Sequence, residues 1–349
     1  MSEDIIFEEK SSIGIITLNR PEVLNALSMD MCRTLDSQLT AWQKEKSIHA
    51  VIIKGAGDKA FCAGGDARTI VEQGPENNVA GRDFFSSEYK MNARIYHFTK
   101  PYIALLDGIT MCGGVGASIH GSHRIITEKT IFAMPESAIG LIPDVGASYF
   151  LPRMPGALGA YLGLTGARLK GADILYAGIG TAYMASEKIN DFTQALMEGD
   201  ISSAEDVDNI IARFAEDPGE APLDEFRDLI DAAFSEKTIE DIFDHLSDID
   251  HNWASETLAV LKKMSPISLK VISEQLSRGA RLDFNDCMIM EYRIVSAISS
   301  YDSDFYEGVR AVLIDKDHNP SWIPQKLTEV STDMVMAHFD IPASGDLKL

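Results

Sequence analysis

The sequence predicts an α/β fold, on three observations. Short β-branched or apolar runs occur at 13–19, 50–54 and 101–108, and turn residues bound each of them, which is typical of strands. A segment with helical spacing of apolar residues lies between the first two runs. Apolar strands end in glycine-rich turns, beside which ligands of α/β proteins commonly bind. Strands therefore alternate with helices, which favours crossover connections.

The elements of the first half can be justified in chain order. The run at 13–19 reads IGIITLN and the run at 50–54 reads AVIIK. The segment 28–42 predicts a helix, because its apolar residues recur on one face. These residues are Met31, Leu35, Leu39 and Trp42. The run at 101–108, PYIALLDG, predicts a buried strand that leads through a glycine turn into a helix.

The second half has a different composition. From about residue 185 the chain is acidic, periodic and almost without strand signals, which predicts helices with solvated acidic faces. Ser265 precedes Pro266 as a helix N-cap would, and that helix is expected to close at Gly279. The sequence thus predicts a core at 1–185 and a mostly helical region at 186–349 packed on it.

The charge balance excludes some classes of partner. The 349 residues include 31 Lys and Arg against 53 Asp and Glu, a formal charge of −22. A nucleic acid or an anionic membrane surface is therefore not expected as a partner. The first ten residues, MSEDIIFEEK, lack the features of secretory and transit peptides, which predicts the cytoplasm.

Cysteine and histidine spacing predicts neither a disulfide framework nor a metal site. The cysteines, which have no CxxC spacing, are expected to be reduced: Cys32, Cys62, Cys112 and Cys287. His120 and His123 lie close in sequence, but no cysteine cluster or further histidine accompanies them. Packing or surface roles are the expectation for both histidines.

Two glycine turns follow apolar runs, AFCAGGD at 60–66 and DGITMCGGVGA at 107–117. Glycine exposes the backbone N–H groups of a turn, because no Cβ blocks the approach of a ligand. Taken alone, GGVG is better explained by close packing of helix on strand, and AGGD by a tight turn with Asp66 as a cap. Together they could place two N–H groups around one carbonyl oxygen as an oxyanion hole.

These turns also carry a resemblance to a known family. AFCAGGD, GITMCGGVGASIHG and FAMPESAIGLIPDVGASYFLPR resemble signature blocks of the crotonase, or enoyl-CoA hydratase/isomerase, superfamily. PESAIGLIPDVG, MEYRI and GVRAVLIDKD are similar to its 3-hydroxyisobutyryl-CoA hydrolase group. The resemblance implies a spiral core of ββα units with a C-terminal helical region. It extends over nearly the whole chain and is weakest at 185–260.

The resemblance also implies site residues. The paired oxyanion donors fall on the N–H groups of Gly65 and Gly113, and the main catalytic glutamate falls on Glu136. Asp144 stands where hydratases usually have glycine and where the hydrolase group has aspartate, although a helix N-cap is its alternative role. Glu88 matches a substrate-contacting glutamate, although it would otherwise pass for a surface helix residue.

The resemblance separates hydrolysis from hydration. The second catalytic glutamate of the hydratases corresponds to Gly116, so water addition would lack half of its acid and base pair. Hydrolysis of a short-chain 3-hydroxyacyl-CoA thioester, most readily 3-hydroxyisobutyryl-CoA in valine catabolism, is therefore expected. Alternatives are a hydratase or isomerase, a non-catalytic CoA-binding subunit, and a thioesterase with Cys62 or Cys112 as nucleophile.

An acyl-CoA is accordingly the expected partner, and no cofactor is expected, because CoA is part of the substrate. Arg20, Lys54 and Arg68 are candidate contacts for the CoA phosphates, but solvation explains each of them nearly as well. Crotonase relatives often form homo-oligomers. The predicted helical half could cover the surface that such contacts use, so the sequence does not predict an oligomeric state.

Overall fold

The computed structural model describes residues 3–73, 78–299 and 303–349. The chain forms two compact units, and each unit is built from three separate segments. Unit 1 comprises Met1–Gly65, Lys90–Phe132 and Leu169–Asp224, and unit 2 comprises Asp66–Tyr89, Ala133–Arg168 and Glu225–Leu349. The predicted division into 1–185 and 186–349 rests on composition, not on contacts, and it stays a prediction.

The strands form two sheets. In chain order they are β1 (Ile5–Lys10), β2 (Ile13–Leu18), β3 (Ala50–Gly55), β4 (Ala60–Cys62), β5 (Tyr102–Leu106), β6 (Ile109–Met111), β7 (His123–Ile126), β8 (Ile131–Ala133), β9 (Leu169–Lys170) and β10 (Ala182–Tyr183). One sheet has the order β1-β2-β3-β5-β7-β10, and the other has the order β4-β6-β8-β9. Pairing from β2 through β3, β5 and β7 to β10 is parallel, as the predicted crossovers require.

The three predicted strands are confirmed as β2, β3 and β5. The sequence analysis did not predict β1, which pairs antiparallel with β2 along its whole length. Most β1 side chains after Ile5 are exposed or half-buried, because this strand forms the edge of the sheet. Its charged residues therefore face solvent, and the run IIFEEK has too little alternation of charged with apolar residues to mark a strand by composition.

The earlier helices lie between strands, and the helices from Ile189 onward follow the last strand. In chain order they are α1 (Met29–Lys44), α2 (Ala67–Gln73), α3 (Asn78–Tyr96), α4 (Gly113–Gly116), α5 (Ala147–Phe150), α6 (Leu158–Thr165), α7 (Ala172–Tyr176), α8 (Ile189–Glu198), α9 (Ala204–Phe214), α10 (Arg227–Phe234), α11 (Ile239–Asp248), α12 (Asn252–Leu261), α13 (Pro266–Gly279), α14 (Phe284–Ile298), α15 (Asp304–Val309) and α16 (Thr332–Met336). Every element described from Ser186 onward is helical.

Two helix starts behave as the sequence predicts. The Ser28 hydroxyl accepts a hydrogen bond from the Met31 N–H and caps α1, whose predicted apolar face is buried. The Ser265 hydroxyl accepts from the Ser268 N–H at the start of α13. Each cap satisfies an N–H group that has no acceptor inside its helix.

The core of unit 1 lies between its larger sheet and helices α8 and α9. Isoleucines of β2, β3, β5 and β7 pack with Phe192 and Leu196 of α8 and with Val207 of α9. Residues after 185 thus complete the cover of a sheet formed by earlier residues. Among the described helices, none is long and apolar enough to cross a membrane.

Candidate active site

The two glycine turns meet in unit 1. Strands β4 and β6 are parallel neighbours, with Ala60 opposite Ile109 and Cys62 opposite Thr110. Both strands therefore end at the same edge of their sheet. A Cβ on Gly64 would lie 3.0 Å from the Cys112 Cβ, so the two turns touch one residue before Gly65 and Gly113. The predicted convergence of the two turns holds within this unit.

The backbone around these turns leaves two N–H groups available. Gly113 is the first residue of α4, where an N–H has no acceptor in its own helix. The Gly64 carbonyl accepts from the Leu27 N–H at 2.8 Å, which fixes the loop before Gly65. Among the residues that the structure describes, neither the Gly65 N–H nor the Gly113 N–H donates to a protein acceptor. Such groups suit an oxyanion hole.

Close packing also explains part of the glycine content. A Cβ on Gly114 would lie 2.1 Å from the Cys62 carbonyl oxygen, so only glycine fits where α4 passes β4. Cys112 has a φ of 48°, in the left-handed region that few side chains adopt. Close packing therefore explains the glycine at position 114. It does not account for the N–H groups of Gly65 and Gly113.

Glu136 lies in unit 2 at the start of a short 3-10 turn, Glu136–Ile139, and it is 0% exposed. The turn is held from several sides. The Ser137 hydroxyl donates to the Leu164 carbonyl at 3.1 Å, and the Leu141 N–H donates to the Glu136 carbonyl at 3.0 Å. Gly140 closes the turn with a φ of 67°. The carboxyl group is thus carried on a rigid, buried backbone.

Asp144 is 3% exposed and accepts a hydrogen bond of 2.7 Å from the Tyr89 hydroxyl. Burial raises the pKa of Asp144 to about 7, and the bond from Tyr89 opposes that rise. The alternative role of Asp144 as a helix N-cap is wrong, because Gly146 is the N-cap residue of α5. A buried carboxyl that titrates near neutrality is suited to binding a hydroxyl group or to proton transfer.

Glu88 is not a surface helix residue. It is 2% exposed on α3, and its Oε1 has no hydrogen-bond partner among the described residues. Burial raises the pKa of Glu88 well above its usual value, and the charges of Asp144, Glu136 and Glu291 add to the rise. Four acidic groups of unit 2 thus influence one another in a buried environment.

Sequence reasoning missed three residues around Asp144. Tyr89 donates to its carboxylate, and Glu291 accepts from the backbone N–H groups of Gly146 and Ser148. Gln275 donates to the Pro143 carbonyl at 2.6 Å. The one signal was the MEYRI block that contains Glu291, which carried the family resemblance without any assigned role.

The remaining candidates have ordinary partners. The Asp66 carboxylate accepts from the Thr69 N–H at 3.2 Å and braces its own loop. Arg68 pairs with Glu72 at 2.7 Å on an exposed face, and the Arg20 guanidinium donates to the Ala26 carbonyl. These contacts neither assign nor exclude a phosphate-binding role.

The two histidines take part in local packing. His123 contacts the Ser122 hydroxyl at 2.8 Å and the Asp208 carboxylate at 3.2 Å, and burial lowers its pKa. His120 packs edge-on against Tyr96. Among the described residues, no three His, Cys, Asp or Glu side chains form a group that could hold a metal ion.

The family comparison agrees with the motifs. A family model described as enoyl-CoA hydratase/isomerase matches residues 13–339. A curated relative from Danio rerio, named mitochondrial 3-hydroxyisobutyryl-CoA hydrolase, is 46% identical over 99% of this chain and 92% of its own length. The Homo sapiens protein of the same name is 44% identical over 99% of this chain and 91% of its own.

These relatives also correct the predicted compartment. Both are named as mitochondrial proteins, so the prediction of the cytoplasm is wrong. The prediction used only the composition of the first ten residues, and this composition does not determine the compartment.

Two solved structures share the fold over the whole chain. A carnitinyl-CoA dehydratase from Mycobacterium thermoresistibile is 38% identical, with a TM-score of 0.92 over 99% of each chain. An enoyl-CoA hydratase from Rhodobacter sphaeroides is 35% identical, with a TM-score of 0.91 over 99% of this chain and 100% of that one. The predicted crotonase-like fold is confirmed. On its fold, its motifs and its full-length similarity, this chain belongs to the enoyl-CoA hydratase/isomerase family.

Proposed function

We propose that this protein hydrolyses the thioester of a short-chain 3-hydroxyacyl-CoA, with 3-hydroxyisobutyryl-CoA as the main substrate. The products are the free hydroxy acid and CoA. The observation that carries the proposal is the identity of 44% and 46%, over 99% of the chain, to relatives named for this reaction. CoA is part of the substrate, and the proposed chemistry uses no cofactor.

The N–H groups of Gly65 and Gly113 are proposed to bind the thioester carbonyl oxygen. As the carbonyl carbon becomes tetrahedral, negative charge develops on that oxygen, and fixed N–H donors stabilise it without reorganisation. Removal of one such donor typically costs about 3 to 4 kcal/mol of transition-state stabilisation. The support is the meeting of the two turns in unit 1 and the lack of an acceptor for either N–H group within the described part of the chain.

Glu136 is proposed to act on the carbonyl carbon by one of two routes. In the first, a carboxylate oxygen bonds to the carbon, the carbon–sulfur bond breaks, and CoA leaves as a thiolate that takes up a proton. Water then opens the mixed anhydride and restores the carboxylate. In the second, Glu136 takes a proton from a water molecule that attacks directly. Both routes yield the same products.

Asp144 and Glu88 are proposed to orient the hydroxyl group of the substrate or the attacking water. A buried carboxyl group without a hydrogen-bond partner, as at Glu88 Oε1, gains most from a ligand that supplies a hydroxyl. Sites built to bond a hydroxyl reject analogues that lack it by large factors. The proposal therefore accounts for selection of hydroxylated acyl groups.

Hydration of an enoyl-CoA is the second candidate, because the two similar solved structures carry the names of a dehydratase and a hydratase. Gly116 argues against it. This residue lies in α4, where the family's hydratases place their second catalytic glutamate, and glycine offers no acid or base. Thioester hydrolysis does not need that group.

A substrate panel separates the two candidates. Purified protein is incubated with 3-hydroxyisobutyryl-CoA, 3-hydroxypropionyl-CoA and crotonyl-CoA, while free thiol and loss of the enoyl absorbance are followed. Release of thiol from the hydroxylated substrates, without hydration of crotonyl-CoA, is expected. Hydration of crotonyl-CoA without thiol release would refute the proposal, and CoA binding without any turnover would favour a non-catalytic subunit.

The variant Glu136→Gln tests the assigned glutamate. Loss of its charge is expected to lower kcat by roughly 10²- to 10⁴-fold while CoA binding survives. The matched control is Glu274→Gln, the same change at a surface residue paired with Arg278, which should leave turnover unchanged. Normal turnover of Glu136→Gln, or loss in Cys112→Ala instead, would reassign the nucleophile.

A further inference from the structure

The turn that carries Asp144 has an unusual backbone. Val145 has a φ of 51° and Gly146 a φ of 91°. Glycine tolerates this region, but for a β-branched residue such as valine it is a genuine outlier. Such a conformation persists only where the surroundings hold it, and it is found mainly at functional sites. The structure around the turn should therefore contain the groups that hold it.

Glu291 is the first of these groups. It is 0% exposed on α14, and both of its carboxyl oxygens are used on the turn. Oε2 accepts from the Gly146 N–H at 2.7 Å, and Oε1 accepts from the Ser148 N–H at 2.8 Å. Both lengths lie at the short end of the range for N–H···O hydrogen bonds. One side chain thus fixes two backbone groups immediately after the strained residue.

Gln275 of α13 holds the other end of the turn. Its Nε2 donates to the Pro143 carbonyl at 2.6 Å and to the Ser148 hydroxyl at 2.8 Å. The Tyr89 hydroxyl then fixes the Asp144 carboxylate itself. The side chain of Asp144 is therefore held by Tyr89 of α3. The backbone around Asp144 is held by Gln275 of α13 and by Glu291 of α14.

Simple packing does not explain a carboxyl at this position. A buried acid is costly, and apolar residues of similar volume commonly replace buried charges without loss of stability. An apolar side chain here would instead leave two buried N–H groups without acceptors. The two oxygens of the Glu291 carboxyl accept hydrogen bonds from the two N–H groups of the turn, and this turn carries Asp144.

From this geometry we infer that Glu291 is a positioning residue for the hydrolysis. It holds the 143–148 turn in its strained form, and so places the Asp144 carboxyl where the hydroxyl group of the substrate is bound. The inference rests on the proposed function. It assigns to Glu291 an effect that acts through Asp144 and not on the thioester.

The test uses Glu291→Gln in the full-length chain. Gln keeps the size of the side chain, but it replaces one acceptor by a donor that faces a backbone N–H. Displacement of a catalytic group by about 1 Å can reduce turnover by about 10²-fold. We expect kcat on 3-hydroxyisobutyryl-CoA to fall roughly 10- to 100-fold, with little change on isobutyryl-CoA, which lacks the hydroxyl.

Two further variants separate positioning from general damage. In the background of Asp144→Asn, the Glu291→Gln change should cause little additional loss, because its target is already disabled. Glu291→Asp keeps the carboxyl group but is one methylene too short to reach both N–H groups, so it should show the same substrate-dependent loss even where Gln folds poorly. Asp286→Asn, on an exposed part of α14, is the control and should turn over normally.

The outcomes distinguish the inference from the proposed function. Wild-type turnover by Glu291→Gln, equal losses on both substrates, or losses that add to those of Asp144→Asn would each overturn the positioning role. Failure of the wild-type protein to release thiol from any 3-hydroxyacyl-CoA would instead refute the proposed function, and the inference would fall with it.

Discussion

At the scale of single residues, the acidic side chains of unit 2 are set apart by their burial. Glu88, Glu136, Asp144 and Glu291 are all nearly inaccessible to water. A buried carboxyl keeps its proton to higher pH because its charged form loses hydration. Burial raises the pKa of Glu88, of Asp144 and of Glu291, so protonation of these three groups links stability to pH.

Glu88→Gln should stabilise the protein at alkaline pH. The folded-state pKa of Glu88 is raised, so the folded protein binds more protons than the unfolded chain above about pH 4.5, and the free energy of unfolding falls as pH rises. Gln stays neutral and removes this contribution. Melting temperatures of variant and wild type should agree near pH 4.5 and diverge by pH 9. Parallel curves would contradict the prediction, and Glu274→Gln should follow wild type.

Tyr89→Phe should shift the pH dependence of activity. The Tyr89 hydroxyl stabilises the ionised form of Asp144, whose pKa is raised to about 7. Loss of this bond raises the pKa of Asp144 further, so the rise of kcat/KM with pH should move to higher pH. Tyr102→Phe, which removes a buried bond to the Ala117 carbonyl, should leave the profile in place. An unshifted profile for Tyr89→Phe would show that ionisation of Asp144 does not control the rise of kcat/KM with pH.

The sequence predicted these acids only through motifs. Glu136 and Asp144 lie in a block that carries the family resemblance, and their site roles stay predictions until tested. No local pattern assigns a role to Tyr89 or Glu291, although the MEYRI block contains Glu291, because each acts on residues distant in sequence through side-chain geometry. A buried acid in a helix looks like a solvated one until its neighbours are known.

At the scale of elements, strand and helix types followed from local patterns, whereas contacts between elements did not. Helix α1 was predictable because its apolar residues repeat at helical spacing. Strand β1 was not, because an edge strand can expose most of its side chains. The close approach of α1 to β2 through Trp42 and Gly14 likewise has no signature in either segment alone.

Gly14→Ala should destabilise this contact. An added Cβ would lie 2.7 Å from the Trp42 ring, and overpacking of this kind typically costs about 1 to 3 kcal/mol. Chemical denaturation should show a lower free energy of unfolding. The same change in a Trp42→Phe background should cost less, because the smaller ring leaves room. Equal costs in both backgrounds would show that the ring contact is not the cause.

At the scale of the whole molecule, the chain crosses between its two units repeatedly. Unit 1 ends only at Asp224, after two segments of unit 2, Asp66–Tyr89 and Ala133–Arg168, have intervened. Composition changes once, near residue 185, and so predicted a single boundary. The sequence could not reveal an interleaved arrangement, because amphipathic helices occur in segments of both units.

Truncation tests whether 1–185 is a core in its own right. A fragment ending at 185 lacks α8 and α9, which cover the buried isoleucines of the larger sheet. We expect it to bind a hydrophobic dye and to lose hydrogen-exchange protection in β3 and β5. A fragment ending at 224 should protect those strands better. Equal protection in both fragments would support the 1–185 division.

The interleaved order of segments also matters during translation. The sheet strands of unit 1 are synthesised early, yet the helices that cover them emerge from the ribosome only after residue 214. Until then the nascent chain exposes a β-rich apolar surface, which is prone to aggregate. Production of this protein at high level should therefore depend on chaperones that shield nascent chains, and slower synthesis at low temperature should raise its soluble yield.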